Sequence, residues 1–153
     1  MWFLMAVQQW CTVRDIKDQL GDPLGDSIYD QFTDDISQPD EFVEGLIEAA
    51  TGTARSYIWA RYEEVAEGWT AVNVPKSIRY GVRDIAVYLL ATHRINPRAP
   101  SATIDVWRMR YEDAMKWFRE IASGDAALDV EVVPGQRGGT RGRIIGKDRS
   151  PVF

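Results

Sequence analysis

Few residues of this 153-residue chain could carry out chemistry: one histidine, His93, one cysteine, Cys11, and adjacent carboxylates at Asp34-Asp35, Asp40-Glu41, Glu63-Glu64 and Glu112-Asp113. Paired carboxylates do general acid–base work when they share a cleft and their pKa values are driven apart. The pairs at 40–41 and 112–113 fall in helical patterns. The first lies in an opening turn, where acids interact favourably with the helix dipole, so solvated faces account for both. His93 stands where a helical pattern ends, a position at which a cation complements the dipole. Cys11 has no histidine nearby in sequence and reads as a packed residue.

A lone cysteine and a lone histidine exclude an intrachain disulfide, a cysteine-based metal cage and the usual multi-histidine zinc or iron sites. They fit synthesis in a reducing, cytosolic compartment. There is no GxxxxGK[ST], no GxGxxG after a strand, no GxSxG and no HExxH. GGTRG at 138–142 superficially suggests a phosphate loop, but no helix follows it to supply a dipole. The expectation is a protein that is not an enzyme, with no catalytic, cofactor-binding or metal-binding residues and no cofactor.

What the chain must build instead is legible in its periodicity. In CTVRDIKDQLGD, Thr12 can cap a helix, Asp15 stands three residues on as the acid of a capping box, and Gly21 ends it. A Gly/Asp/Pro-rich connection follows and holds a short helical turn over 28–32. The longest helix, SQPDEFVEGLIEAATGTARSYIWARY, is capped by Ser37 or Gln38 with Pro39 in its first turn. Its apolar positions, from Phe42 to Ile58, recur at three- and four-residue steps. Small residues at Ala49, Gly52 and Thr53 would let another helix approach closely. EEVAEGWTAVNVP is a loop with Trp69 near its middle.

A third helix runs from Pro75 to about Thr92. A fourth runs from about Ala102 to Ser123, with Gly124 as its C′ residue, and its stripe includes Tyr111, Ala114, Met115, Phe118 and Ile121. LDVEVV (128–133) alternates and is β-branched, which suggests a short strand. The fold class is therefore mainly α: a small bundle of about four helices with a minor β element and an extended C-terminal arm.

The charge is asymmetric. Residues 1–133 carry 13 Lys+Arg against 22 Asp+Glu, a net of −9, whereas residues 134–153 carry five basic residues against Asp148, a net of +4. The acidic body is the wrong sign for a nucleic-acid reader; Arg79, Arg83, Arg108 and Arg110 lie on helices but are interleaved with acids. Only the RGG-like GQRGGTRGR looks like an electrostatic binder. Acids of the chain's own body, or of a neighbouring copy, are an equally good sink for those arginines. The apolar MWFLMAV is too short to cross a bilayer and lacks a signal-peptide pattern. It reads as an arm needing a partner surface or as residues upstream of the natural start. The organisation expected is an N-terminal arm (1–9), a helical domain (10–133) and a basic C-terminal arm (134–153), with no membrane partner.

In order, WCTVRDIKDQLGD, a long helix ending in SYIWARY, VPKSIRYGVRDIAVYLL and RYEDAMKWFREIASGDAAL resemble the Mu-type head–tail connector (neck adaptor, head completion) family of tailed phages. That family is related in architecture to the lambdoid connectors. The likeness covers roughly residues 10–130 and rests on the ordered set, chiefly Arg61-Tyr62, Asp84-Ile85-Ala86 with Tyr88, and RYEDAMKW. The chain departs from the family pattern in its residues 1–9 and in a loop, 63–73, without the family's short Pro/Leu-rich turn.

The resemblance implies a structural virion protein at the head–tail junction, made in the bacterial host cytoplasm. It would form a ring, expected to be twelvefold, beneath the portal protein of the filled head. Its partners would be the portal, neighbouring copies of itself and a downstream neck or tail-completion protein, with non-specific contact with DNA in the lumen. Arg137, Arg141, Arg143, Ile144, Ile145 and Phe153 are the expected arm contacts. Tyr111, Trp117 and Phe118 are expected as core or subunit-interface residues. The alternative is a DNA-binding packaging factor, similar to a small terminase subunit, that uses the basic tail.

Overall fold

The computed structural model describes residues 8–20, 27–93 and 101–128. They form five helices: α1 (Val13–Gln19), α2 (Ser27–Thr33), α3 (Pro39–Ala66), α4 (Lys76–Thr92) and α5 (Ser101–Ser123). Among the described residues there is no strand. Leu128 is irregular, and residues 129–133, which completed the expected strand, lie outside the described part, as do all six expected arm contacts in 134–153.

Local chemistry starts these helices where the spacing expects. Thr12 and Asp15 close a reciprocal capping box, Asp15 N–H donating to Thr12 Oγ1 at 3.2 Å and Thr12 N–H to Asp15 Oδ2 at 2.8 Å. Pro39 opens α3, where its missing N–H costs nothing, although Gln38 provides no side-chain cap. Gly124 follows α5 with φ +91°, a left-handed value natural to glycine, and its N–H reaches the carbonyl of Ile121 at 3.2 Å.

α4 is the central element and packs on both α3 and α5, while α1 lies across α3 and α4. It can do so because it is buried nearly all round, through Ile78, Gly81, Val82, Ile85, Ala86, Val87, Leu90 and Ala91. Gly81 sets the separation of α4 from α5: a Cβ there would stand 2.7 Å from Cζ of Phe118, which is fully buried. Trp10 and Trp69 meet edge to face, centroids 5.3 Å apart, and tie the segment before α1 to the loop after α3.

α3 does not stop at Tyr62. It passes through a non-helical residue there (φ −127°, ψ 27°) and continues to Ala66, which is fully buried. The loop begins four residues later than the spacing suggests, because burial of Tyr62 and Ala66 holds the extra turn against the body. Among the described residues no second helix lies on the small residues of α3: Gly52 is exposed, and a Cβ there would meet nothing within 4 Å.

Candidate functional site

The described surface includes an open cleft of about 320 Å³, lined by Lys17 of α1, Tyr29 and Asp30 of α2, and Gln38, Pro39, Asp40 and Glu41 at the start of α3. Tyr29 Oη donates to Asp40 Oδ1 at 2.6 Å, and Lys17 Nζ lies 3.6 Å from the same oxygen and 4.7 Å from the Tyr29 ring centroid. Burial, and then the hydrogen bond to Asp40, push the Tyr29 phenol well above its ordinary pKa. It therefore keeps its proton and acts as a donor. This arrangement fastens α2 to the start of α3. All four carboxylate pairs are exposed, and 40–41 lines this cleft.

His93 is the C-cap of α4 and joins elements. Its Nε2 lies 3.2 Å from the Phe32 carbonyl oxygen, and its ring tilts against Phe42 with centroids 4.8 Å apart. Cys11 is fully buried, and burial, followed by the negative charge of Asp15, pushes its thiol up to about 12. It carries almost no thiolate at neutral pH and is chemically quiet. Among the described residues no group of three or more His, Cys, Asp or Glu could hold a metal ion, and no helix is long and apolar enough to cross a membrane.

Of the helical arginines, Arg79, Arg83 and Arg108 have acidic partners, and Arg110 lies over the Trp107 ring, 5.3 Å from its centroid. Arg79 makes a bidentate bond to Asp15, Nη2 to Oδ1 at 2.7 Å and Nε to Oδ2 at 2.9 Å, across 64 positions of sequence. Burial alone would raise the Asp15 carboxyl, but the hydrogen bonds from Arg79 and Thr12 hold it below its ordinary 3.8. Arg83 bonds Asp84 at 3.1 Å and stacks on Tyr80, and burial raises the Asp84 carboxyl despite that partner. Arg108 pairs with Asp105 at 3.2 Å on an exposed face.

Phe118 is in the core, whereas Tyr111 and Trp117 are half-buried against it. Tyr111 stacks on Tyr88 with centroids 4.4 Å apart, so the three join α5 to the bundle. Among the described residues, Val106, Met109, Tyr80 and Val72 are the large apolar side chains left exposed, Val72 to 91 %. Val72 sits on a turn in which Asn73 Oδ1 accepts from Thr70 N–H at 2.5 Å and Asn73 Nδ2 donates to the Gly68 carbonyl at 3.1 Å.

The Arg61-Tyr62 pair, singled out in the sequence, is a junction. Arg61 lies against Gly124 at the C-terminal end of α5, where a cation complements the helix dipole. Tyr62 Oη accepts from the Leu128 N–H at 3.3 Å. Spacing gave no sign of either contact, since both depend on α5 folding back along α3.

A family model described as Bacteriophage Mu, Gp36 matches residues 10–143. The chain belongs to that family and is a Mu-type phage protein. No curated protein and no solved structure matches the chain.

Proposed function

We infer, from membership of the Bacteriophage Mu Gp36 family, that this chain is a structural virion protein of the head–tail junction. It forms a ring beneath the portal protein, seals the filled head and offers the surface to which the tail, or a downstream neck or tail-completion protein, attaches. Family membership carries this reading. The helical body supports it: Arg79, Arg83 and Arg108 are engaged with acids of the body itself, and the aromatics of α5 brace the bundle.

A ring needs two different complementary faces on each subunit. A body of net −9 joined to a segment of net +4 supplies opposite charges for that purpose. On this reading Arg137, Arg141, Arg143, Ile144, Ile145 and Phe153 contact the portal or a neighbouring copy, and the protein performs no catalysis.

The test is negative-stain electron microscopy of lysates from phage lacking this gene. DNA-filled heads beside complete, separate tails are the expected result. Empty heads would refute the joining role and favour a packaging factor that contacts DNA through the basic segment.

A further inference from the structure

One surface of the body has no described element over it. Along α3, Glu41, Gly45, Ala49, Gly52, Ser56, Ala60, Glu63 and Glu67 recur at steps of four and three, and all eight are exposed. They form a stripe that is acidic at both ends and small at its exposed middle positions; it passes the non-helical Tyr62, and half-buried Arg55 and Trp59 flank it. Cβ atoms built at Gly45 and Gly52 meet nothing within 4 Å. The stripe is about 39 Å long at ~1.5 Å rise per residue.

A second copy of α3 is a poor occupant, because either orientation would set glutamates against glutamates. The complementary chemistry is a basic segment with small apolar spots, and this chain carries one. Residues 134–153 hold Arg137, Arg141, Arg143, Lys147 and Arg149 with Ile144-Ile145 between them. The described chain ends at Leu128, whose N–H is bonded to the hydroxyl of buried Tyr62, so the residues that follow are tethered to the C-terminal part of α3. Twenty extended residues reach about 65 Å at ~3.3 Å each, more than enough to follow the stripe.

We propose that the outer stripe of α3 is the docking site of this chain's own residues 134–153. Tethering at Leu128 places the segment at an effective concentration on the order of millimolar at its site, which favours the subunit's own segment over a neighbour's. The inference concerns the free subunit and stands independently of the virion role. If both hold, the segment must leave α3 before it reaches a portal or a neighbour.

The test is the maleimide-labelling rate of Gly52→Cys in the full chain, with Ala60→Cys as a second site on the stripe and Ser77→Cys, exposed on α4, as the control. Cys11 is buried and its thiol is pushed up to about 12, so the native cysteine is silent. At low salt the stripe sites should label about tenfold slower than Ser77→Cys, the factor given by a docking equilibrium of about 1.4 kcal/mol. The protection should vanish at about 1 M salt, where the screening length falls to ~3 Å. It should also vanish with Arg141→Glu and Arg143→Glu together, and be independent of protein concentration.

Labelling as fast as the control would overturn the proposal. So would protection that grows with protein concentration, which assigns the stripe to another copy. Protection indifferent to salt and to the arginine substitutions would overturn it too, by assigning the stripe to the uncharged residues 1–7.

Discussion

The approach of α4 to α5 rests on Gly81, and three glycine-to-alanine substitutions isolate its contribution. Gly45 and Gly52 lie inside α3, and a Cβ at either meets nothing within 4 Å; Gly81 lies inside α4, and its Cβ would stand 2.7 Å from Cζ and 3.0 Å from Cε2 of Phe118. All three changes gain the same helix propensity, about 0.8–1 kcal/mol. Gly81→Ala also overpacks a fully buried ring, which costs about 1–3 kcal/mol. The net expectation is stabilisation by somewhat under 1 kcal/mol at 45 and 52, and destabilisation by about 0–2 kcal/mol at 81. The gap between positions should therefore be about 1–3 kcal/mol. Urea unfolding followed by circular dichroism, with an unchanged denaturant slope, measures it directly. At ~2–4 °C per kcal/mol for a chain of this size, Tm should separate the variants as well. Replacing the ring by Phe118→Leu should turn Gly81→Ala from harmful to favourable, a coupling readable by a double-mutant cycle. Equal effects at all three glycines would refute the reasoning that this contact sets the helix separation.

Asp15→Asn should cost about 1–3 kcal/mol at neutral pH in urea titrations, because the carboxylate receives Arg79 twice and the Thr12 N–H. The Asp15 carboxyl is held below 3.8 in the fold, so its contribution is present above that pH and lost as the pH falls further toward the folded value. Asp84 has the opposite sign: its folded carboxyl is raised, so stability declines as the pH climbs from 3.8 toward the folded value. Asp84→Asn should remove that decline, whereas Asp15→Asn removes the acid-side loss; matching pH–stability slopes for the two variants would contradict both assignments. Tyr62→Phe should cost about 0.5–1.5 kcal/mol and speed hydrogen exchange at the Leu128 amide, and unchanged exchange there would show the hydroxyl is not its acceptor. Cys11 should fail to react with a thiol reagent at pH 8 in native protein and react promptly in denaturant, since burial pushes its pKa to about 12; rapid native labelling would place it at the surface.

Interactions that span three or four residues were legible in the sequence. The capping box at Thr12 and Asp15, the proline opening α3, the left-handed glycine after α5 and the apolar stripes of α4 and α5 all depend on neighbours within a helical turn, so spacing alone encodes them. The charge asymmetry was legible for the same reason, since it is a count along the chain. The family resemblance, carried by the order of several local motifs, led to the Mu-type phage proteins.

Tertiary packing decided the rest. α3 runs past Tyr62 because Ala66 is buried, not because Glu63-Glu64 announces another turn. Asp15 meets Arg79 across 64 positions, and Leu128 meets Tyr62 across 66. The cleft at Lys17, Tyr29 and Asp40 draws on three helices, and His93 and Cys11 received their structural roles from residues brought to them by folding. The acidic, glycine-lined stripe of α3 existed as a spacing in the sequence, but only the fold showed that no described element covers this face. Apolar burial, which drives the collapse, has no direction of its own, so the distant groups it brings together are set by how the helices settle against one another.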